Sequence, residues 1–363
     1  MHESRPGIHL TPAADRGREI ATLCGSAGDP VGVAGVVAGM TRQARPSRLG
    51  RALGRAVTEA FAWDEADSRD PRWWPQGISS SADAVPGEHV AGRPLLVTTS
   101  YARHVGGTSH GCRVTFVDLG TLRYEHVLLV EPGVDDDGTP TLAPVHLHAG
   151  GIAWHGQWLH LAATARGLVT CRVDDILAVG DPDTGERLGV EGGRVTAYGH
   201  RFVLPVRFVQ RAGTDRDHER FRYSFLGLDR SDDATPALVS GEYARGGRTR
   251  RLVRYEIDPG TGLLRVDDDG AARPVSVADG VGRMQGVVVR QGRHLVSVSA
   301  GPWLPGTVYA GRSGDLRPHR LAVPMGPEDL TYWPSTDRVW SVTEHPWRRW
   351  FFAMRRAWFE DGR

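Results

Sequence analysis

The chain has 363 residues, of which 40% are hydrophobic, with 44 basic and 43 acidic side chains. That length suits about two ordinary domains or one large all-β domain, and the even charge balance lacks the basic excess by which proteins displace counterions from nucleic acid. The sequence contains neither Lys nor Asn, which excludes Schiff-base lysine chemistry, a Walker A lysine and N-glycosylation together.

Residues 1–60, rich in Gly, Ala and Arg, read as an N-terminal extension. Leu49, Leu53, Ala56, Val57 and Ala60 recur at helical spacing and predict a short helix near Pro46 to Ala62. The stretch Val57 to Trp63 has a second reading, as a strand that closes the ring described below. Val31 to Met40 is too short to span a bilayer and follows Glu19 and Asp29 rather than a basic start, so neither a membrane span nor a signal peptide is expected. The expected compartment is the cytoplasm, with secretion the alternative if the true start lies upstream. Cys24, Cys112 and Cys171 are odd in number and far apart, which predicts buried thiols rather than a disulfide framework or a metal knuckle.

From Trp73 onward, short runs of β-branched and aliphatic residues alternate with Gly, Asp and Pro. This is the pattern of an all-β domain, assigned to residues 61–363. Five segments share one outline: WWPQGIS at Trp73, HAGGIAW at His148, YSFLGLD at Tyr223, GRMQGVV at Gly282 and GPEDLTYW at Gly326. Each is followed by a partner strand, beginning at Leu95, Trp158, Ala237, His294 and Arg338. Repeats of this kind predict a β-propeller whose inner strands surround a channel, with Gly77, Gly151, Gly227, Gly286 and Asp329 at equivalent positions. The expected architecture is a single five-bladed propeller; six blades, with Val195 to Gln210 forming one of them, is the alternative.

The strings HAGGIAWHG, LVSGEY, MQG, GPEDLTYWP and SVTEHPWRRWFF resemble an actinobacterial family of β-propeller-like proteins described as hypothetical or secreted. The resemblance spans about Trp73 to Phe352. It implies a fold and a bacterial group and brings no activity, substrate or catalytic residue. The sequence departs from the family in lacking an export signal, which points to an intracellular task.

In a propeller, the loops entering the inner strands and leaving the second strands open on one face. That placement gathers Trp74, Gln76, His148, Arg283, Gln285, Glu328 and Asp329 with Tyr101, His104, Arg166, Glu242, Tyr243, Trp303, Glu344, His345 and Trp347, a polar rim with aromatic walls. Asp329 replaces the glycine of the other repeats, and burial beside Glu328 should raise its pKa and suit it to general acid work. Asp329 or Glu328, assisted by His148, is the expected proton donor, and Glu242 or Glu344 the base. Trp74, Gln76, Tyr101, Tyr243, Arg283, Gln285, Trp303, His345 and Trp347 are the expected substrate contacts. His146 and His148 share a strand face, but no complete metal-ligand motif accompanies them, so no metal or organic cofactor is expected. The runs Asp135 to Asp137 and Asp267 to Asp269 precede glycines and read as turns.

The reading is a cofactor-independent acid–base enzyme of bacterial specialised metabolism, a cyclase or isomerase, acting on one small, largely apolar molecule. Nucleic acid and membrane are not expected partners, and the residues set no oligomeric state. A glycan-active protein (hydrolase, lyase or lectin) and a protein-binding scaffold are the alternatives, and fold alone does not choose among them.

Overall fold

A computed structural model of the chain describes residues 7–180, 185–232 and 235–360. The protein is an all-β propeller, and among the described residues its strands pair into five antiparallel meanders of four strands each. The first comprises Trp73–Ser80, Leu95–Ala102, Cys112–Asp118 and Arg123–Val134. The second comprises Ile152–His155, Trp158–Ala162, Gly167–Arg172 and Phe202–Thr214. Phe225–Asp229, Ala237–Gly241, Arg251–Glu256 and Ser276–Asp279 make the third. Met284–Arg290, Arg293–Val298, Pro305–Arg312 and Asp315–Met325 make the fourth. In the last, Pro327–Trp333, Arg338–Thr343 and Trp350–Arg355 are joined by Val57–Ala62 from far upstream.

The first strands of the meanders meet at one axis, where side chains would not fit. A methyl group on Gly77 would press on the backbone of Gly151 and Ile152, one on Gly151 on Phe225 and Leu226, one on Gly227 on the Val287 carbonyl, and one on Gly286 on the backbone of Asp329. Asp329 completes the circuit by hydrogen bonding to the amides of Ile78 and Ile152. The glycines therefore serve close backbone approach rather than turn formation.

The upstream strand is sealed by aromatic packing. Phe61 stacks on Phe351 at 5.2 Å between ring centroids, and Trp63 lies 5.0 Å from the same ring. Helix in the region Pro46 to Ala62 is confined to Arg48–Ala52, because from Val57 the backbone pairs with Trp350–Arg355. The segment Val195 to Gln210 is divided between the two-stranded hairpin Leu188–Glu191 with Arg194–Ala197 and the outer strand Phe202–Thr214, so it does not form a separate four-stranded unit.

Two helices absent from the sequence reading, Gly17–Ala27 and Gly32–Ala38, bury Ile20, Leu23, Val33 and Val36. By length and composition Gly17–Ala38 also meets the test for a membrane span or a signal sequence, a longer apolar stretch than Val31 to Met40 alone. Near it, Ile8–Pro12 pairs along Phe202–Thr214, and Leu10 bridges to Ala272 of the third meander.

Crowding at the axis makes a directional prediction. Gly227→Ala should lower the free energy of unfolding by about 1–3 kcal/mol or more, since overpacking against backbone has no cheap relief. Gly87→Ala, whose added methyl meets open space, should be neutral. Chemical denaturation of both variants checks this, and equal stabilities would contradict the packed ring.

Candidate functional site

Three strand irregularities aim side chains into the mouth of the ring. The register of the inner strands slips between Pro75 and Ile78, between Met284 and Gly286, and between Pro327 and Leu330. Bulges of this kind redirect the residues they contain. The residues so placed are Gln76, Gln285 and Glu328, each immediately before the aligned Gly or Asp.

They face a cavity of about 710 Å³. It holds two carboxyls: Pro327 is paired with Thr343, which sets Glu328, at the start of one strand, near Glu344, just past the end of the next. Gln285 Nε2 donates to Glu328 Oε1 at 3.1 Å, and Gln76 Nε2 donates to Glu344 Oε2 at 3.1 Å. His345 Nε2 lies 3.5 Å from the other oxygen of Glu344. Glu328 is 2% exposed. Burial, with the nearby charges of Glu344 and Asp329, pushes its pKa well above the usual carboxylate range, as desolvation and like charges both disfavour ionisation. Burial also raises Glu344, against the hydrogen bond from Gln76 and the charges of Arg349 and Arg103. The Arg349 guanidinium, itself buried, is lowered to about 10 by desolvation and donates to the backbone carbonyls of Glu344, Asp67 and Asp70.

The lining is also cationic, with Arg222, Arg245, Arg248 and Arg283 alongside Tyr243, Ser224 and Thr164. Arg245 Nε donates to the Tyr243 hydroxyl at 2.6 Å. His148 stands at the rim with its imidazole pushed towards the neutral form by the surrounding protein. Of the residues expected at the site, the cavity brings together Gln76, His148, Tyr243, Arg283, Gln285, Glu328, Glu344 and His345.

Three expectations need correction. Asp329 lies beneath the cavity floor, fully buried, and does not line it; its Oδ2 accepts from the amides of Ile152 at 3.2 Å and Ile78 at 3.4 Å. It ties the last meander to the first two. Glu242 is also fully buried but is held by Arg251, which donates from its backbone, Nε and Nη2 at 3.0 Å each. Burial opposes its ionisation, yet the bonds from Arg251 prevail and its pKa is lowered, so it is an ion-pair anchor rather than a base. The aromatic walls are not there either. Trp74 and Tyr101 stand behind the lining, against His345 at 5.7 Å and His148 at 4.6 Å, while Trp303 and Trp347 are 75% and 65% exposed outside it. Among the described residues no group of three or more His, Cys, Asp or Glu side chains is arranged to hold a metal ion; His146 lies in a neighbouring hollow with His104 and Tyr101.

The sequence reading missed Arg222, Arg245 and Arg248. The signal was the run ARGGR leaving Ala237–Gly241, discounted because arginine is the chain's sole strong base. It also missed a second polar cluster, where Asp67 accepts from Tyr124 at 2.7 Å, Arg113 at 3.0 Å and His126 at 2.9 Å. His126 in turn meets the Thr115 hydroxyl at 2.8 Å. The order of groups is that of a nucleophilic triad, but Thr115 is 2% exposed and does not line the adjoining 390 Å³ hollow. Burial lowers His126 to about 4, and the cluster fastens Glu65–Arg69 to the first meander.

No protein-family model and no curated protein matches the chain. Among solved structures it is similar to a gluconolactonase from Xanthomonas campestris, at 15% identity over 86% of this chain and 94% of that one, with a TM-score of 0.34. It is similar to the Cps50 (Swd1) β-propeller domain of Myceliophteria thermophila at 9% identity over 79% and 98%, TM-score 0.36. A third is the RS223 β-xylosidase, at 10% identity over 78% and 94%, TM-score 0.34. Likenesses this distant transfer no activity to the chain.

The raised carboxyls make stability depend on pH with a definite sign. A carboxyl whose folded pKa is raised favours folding below its unfolded value of about 4 and loses that contribution as pH climbs through the folded value. Glu328→Gln, which cannot ionise, should therefore gain stability relative to the wild type over the range of pH above about 4. A constant difference in denaturation free energy across that range would contradict the assignment. Asp329→Ala leaves two buried amides unpaired and should cost about 2–4 kcal/mol, measured by the same unfolding experiment.

Proposed function

We propose that the five meanders are five blades and that the protein is an enzyme performing acid–base chemistry on a small polar molecule at the propeller mouth. Glu328 is the proton donor. The observation that carries this reading is the pair Glu328 and Glu344, both with raised pKa values, each fixed by a glutamine amide and both facing one cavity. With Oε1 of Glu328 occupied by Gln285, the protonated Oε2 is left to donate to substrate. A carboxyl that stays protonated near neutral pH is the group general acid catalysis requires.

Glu344, less buried and touched by His345, is the member of the pair that ionises first as pH rises. It accepts the proton that the substrate gives up, with His345 and His148 at hand to exchange it with solvent. One proton given by Glu328 and one taken by Glu344 leave the enzyme's net charge unchanged after an isomerisation or a cyclisation, the redox-neutral outcomes this pair supports, and exchange of protons with solvent at both carboxyls then resets the site. Gln76 and Gln285 hold the carboxyls in place, and Tyr243 orients the bound molecule. The polar lining favours a hydrophilic substrate over the largely apolar one expected from aromatic walls.

A glycan-active reading draws on Trp303 and Trp347, which present exposed rings beside the mouth. Each already has a guanidinium over one face, from Arg348 at 4.4 Å and Arg69 at 4.5 Å. This favours small-molecule chemistry in the cavity over lectin binding at the rim.

The test is to incubate the purified chain with a fractionated bacterial small-molecule extract and follow it by mass spectrometry. The wild type should consume one compound and form an isomer or cyclised product. Glu328→Gln should slow that conversion by about 10²–10⁴-fold, and the wild-type rate should fall as pH rises through the raised pKa of Glu328. Conversion undiminished in the folded variant, or no conversion by the wild type, would refute the proposal.

A further inference from the structure

We infer that the substrate carries an oxyanion, a carboxylate or a phosphate, bound by the arginines that line the cavity together with Glu328. The inference rests on the proposed small-molecule reading of this cavity and adds the class of molecule it takes.

Four guanidinium groups line the cavity, from Arg222, Arg245, Arg248 and Arg283. Two are committed in part: Arg222 Nη2 donates to the Thr249 carbonyl at 2.8 Å and lies 3.6 Å from the Glu242 carboxylate, and Arg245 Nε donates to Tyr243. The side chains of Arg248 and Arg283 have no hydrogen-bond or ion-pair partner among the described residues. Among the described residues neither cavity carboxyl pairs with these arginines: Glu328 is bonded to Gln285, and Glu344 to Gln76 with His345 beside it. Four arginines against two carboxyls leave the lining with an excess of positive charge. Guanidinium forks facing a cavity in this way match the planar or tetrahedral oxygens of carboxylates and phosphates.

Arg283 adds an independent observation. Its φ is +62°, in the left-handed region that disfavours any residue with a Cβ. Its backbone amide is fixed there by the Ala244 carbonyl at 3.0 Å. Glycine would occupy this position without strain, so an arginine here carries a conformational cost that packing does not repay, since the side chain is exposed in the cavity. Strain retained at a cavity wall points to a role in binding. The hydrogen bond from Arg283 to Ala244 also joins the entry of the fourth meander to the segment that carries Arg245 and Arg248, so the cationic residues come from two neighbouring units.

The ligand's oxyanion on these arginines leaves its reacting carbon or oxygen to face Glu328 and Glu344. Pairing the arginines would also draw the bound molecule to one orientation, because a charge at one end and a proton donor at the other admit few poses.

Isothermal titration calorimetry of the full chain at pH 7 and low salt tests this with three probes: inorganic phosphate, D-glucuronate and D-glucose. At least one of the two oxyanions should bind, glucose should bind at least about tenfold more weakly, and the oxyanion affinity should fall with added salt. Arg248→Ala/Arg283→Ala should weaken oxyanion binding by at least about tenfold, the loss expected for charge-assisted hydrogen bonds, while Arg317→Ala, at an exposed position outside the cavity, should bind as the wild type does. Phosphate alone binding assigns a phosphorylated substrate, and glucuronate binding assigns a carboxylate. Glucose binding as tightly as either oxyanion, no oxyanion binding, or a double variant with wild-type affinity would overturn the inference. Retained conversion by Glu328→Gln fails the catalytic proposal alone, whereas unchanged oxyanion binding in the double arginine variant fails this inference alone.

Discussion

Backbone contact between successive inner strands is the constraint on which the rest of the molecule depends. Gly77, Gly151, Gly227 and Gly286 leave no room for a side chain at the axis, so the strands converge until only main chain separates them. Convergence of that kind leaves polar backbone groups facing one another in a dry interior, and each needs a partner. Asp329 supplies acceptors to the amides of Ile78 and Ile152 across three units. In three of the five units the register also slips one residue earlier, at Gln76, Gln285 and Glu328, and these slips set the chemistry of the mouth.

The behaviour of the carboxyls shows that the partner, rather than depth alone, decides ionisation. Glu242 has no exposed surface and Glu328 has 2%, yet the first is lowered and the second raised. Arg251 meets Glu242 with three donors, including a full positive charge. Glu328 receives one amide from Gln285 and sits among other carboxyls. Burial opposes the ionisation of both groups; the guanidinium outweighs it in one case and an amide does not in the other. A fixed ion pair and a proton donor thus arise from the same residue type at similar depth.

The all-β fold and the equivalence of the five aligned positions were legible because backbone crowding writes glycine into the sequence at a repeated place. The convergence of Gln76, Gln285, Glu328 and Glu344 was legible from the same alignment, since each stands at a fixed step from it. The function of Asp329 was not. Substituting an acid for glycine at the axis reads equally as an acid catalyst or as an amide acceptor, and only the positions of Ile78 and Ile152 distinguish them. Glu242 was misread for the same reason, as its partner Arg251 lies nine residues on and in a different strand. The arginine lining was hidden by composition: in a chain whose basic residues are all Arg, a local run of them carries little contrast. Trp303 and Trp347 were placed near the mouth by order in the chain, but the loops turn their rings outward to solvent.

The central claim is that Glu328 stays protonated, facing the cavity, at neutral pH. Carbon-13 NMR of side-chain carboxyls in glutamate-labelled protein measures this directly, with the Glu328 resonance identified by its loss in Glu328→Gln. This resonance is expected to keep the chemical shift of a protonated carboxyl well beyond the ordinary glutamate midpoint near 4.3. A Glu328 resonance that titrates at that ordinary midpoint would contradict the claim.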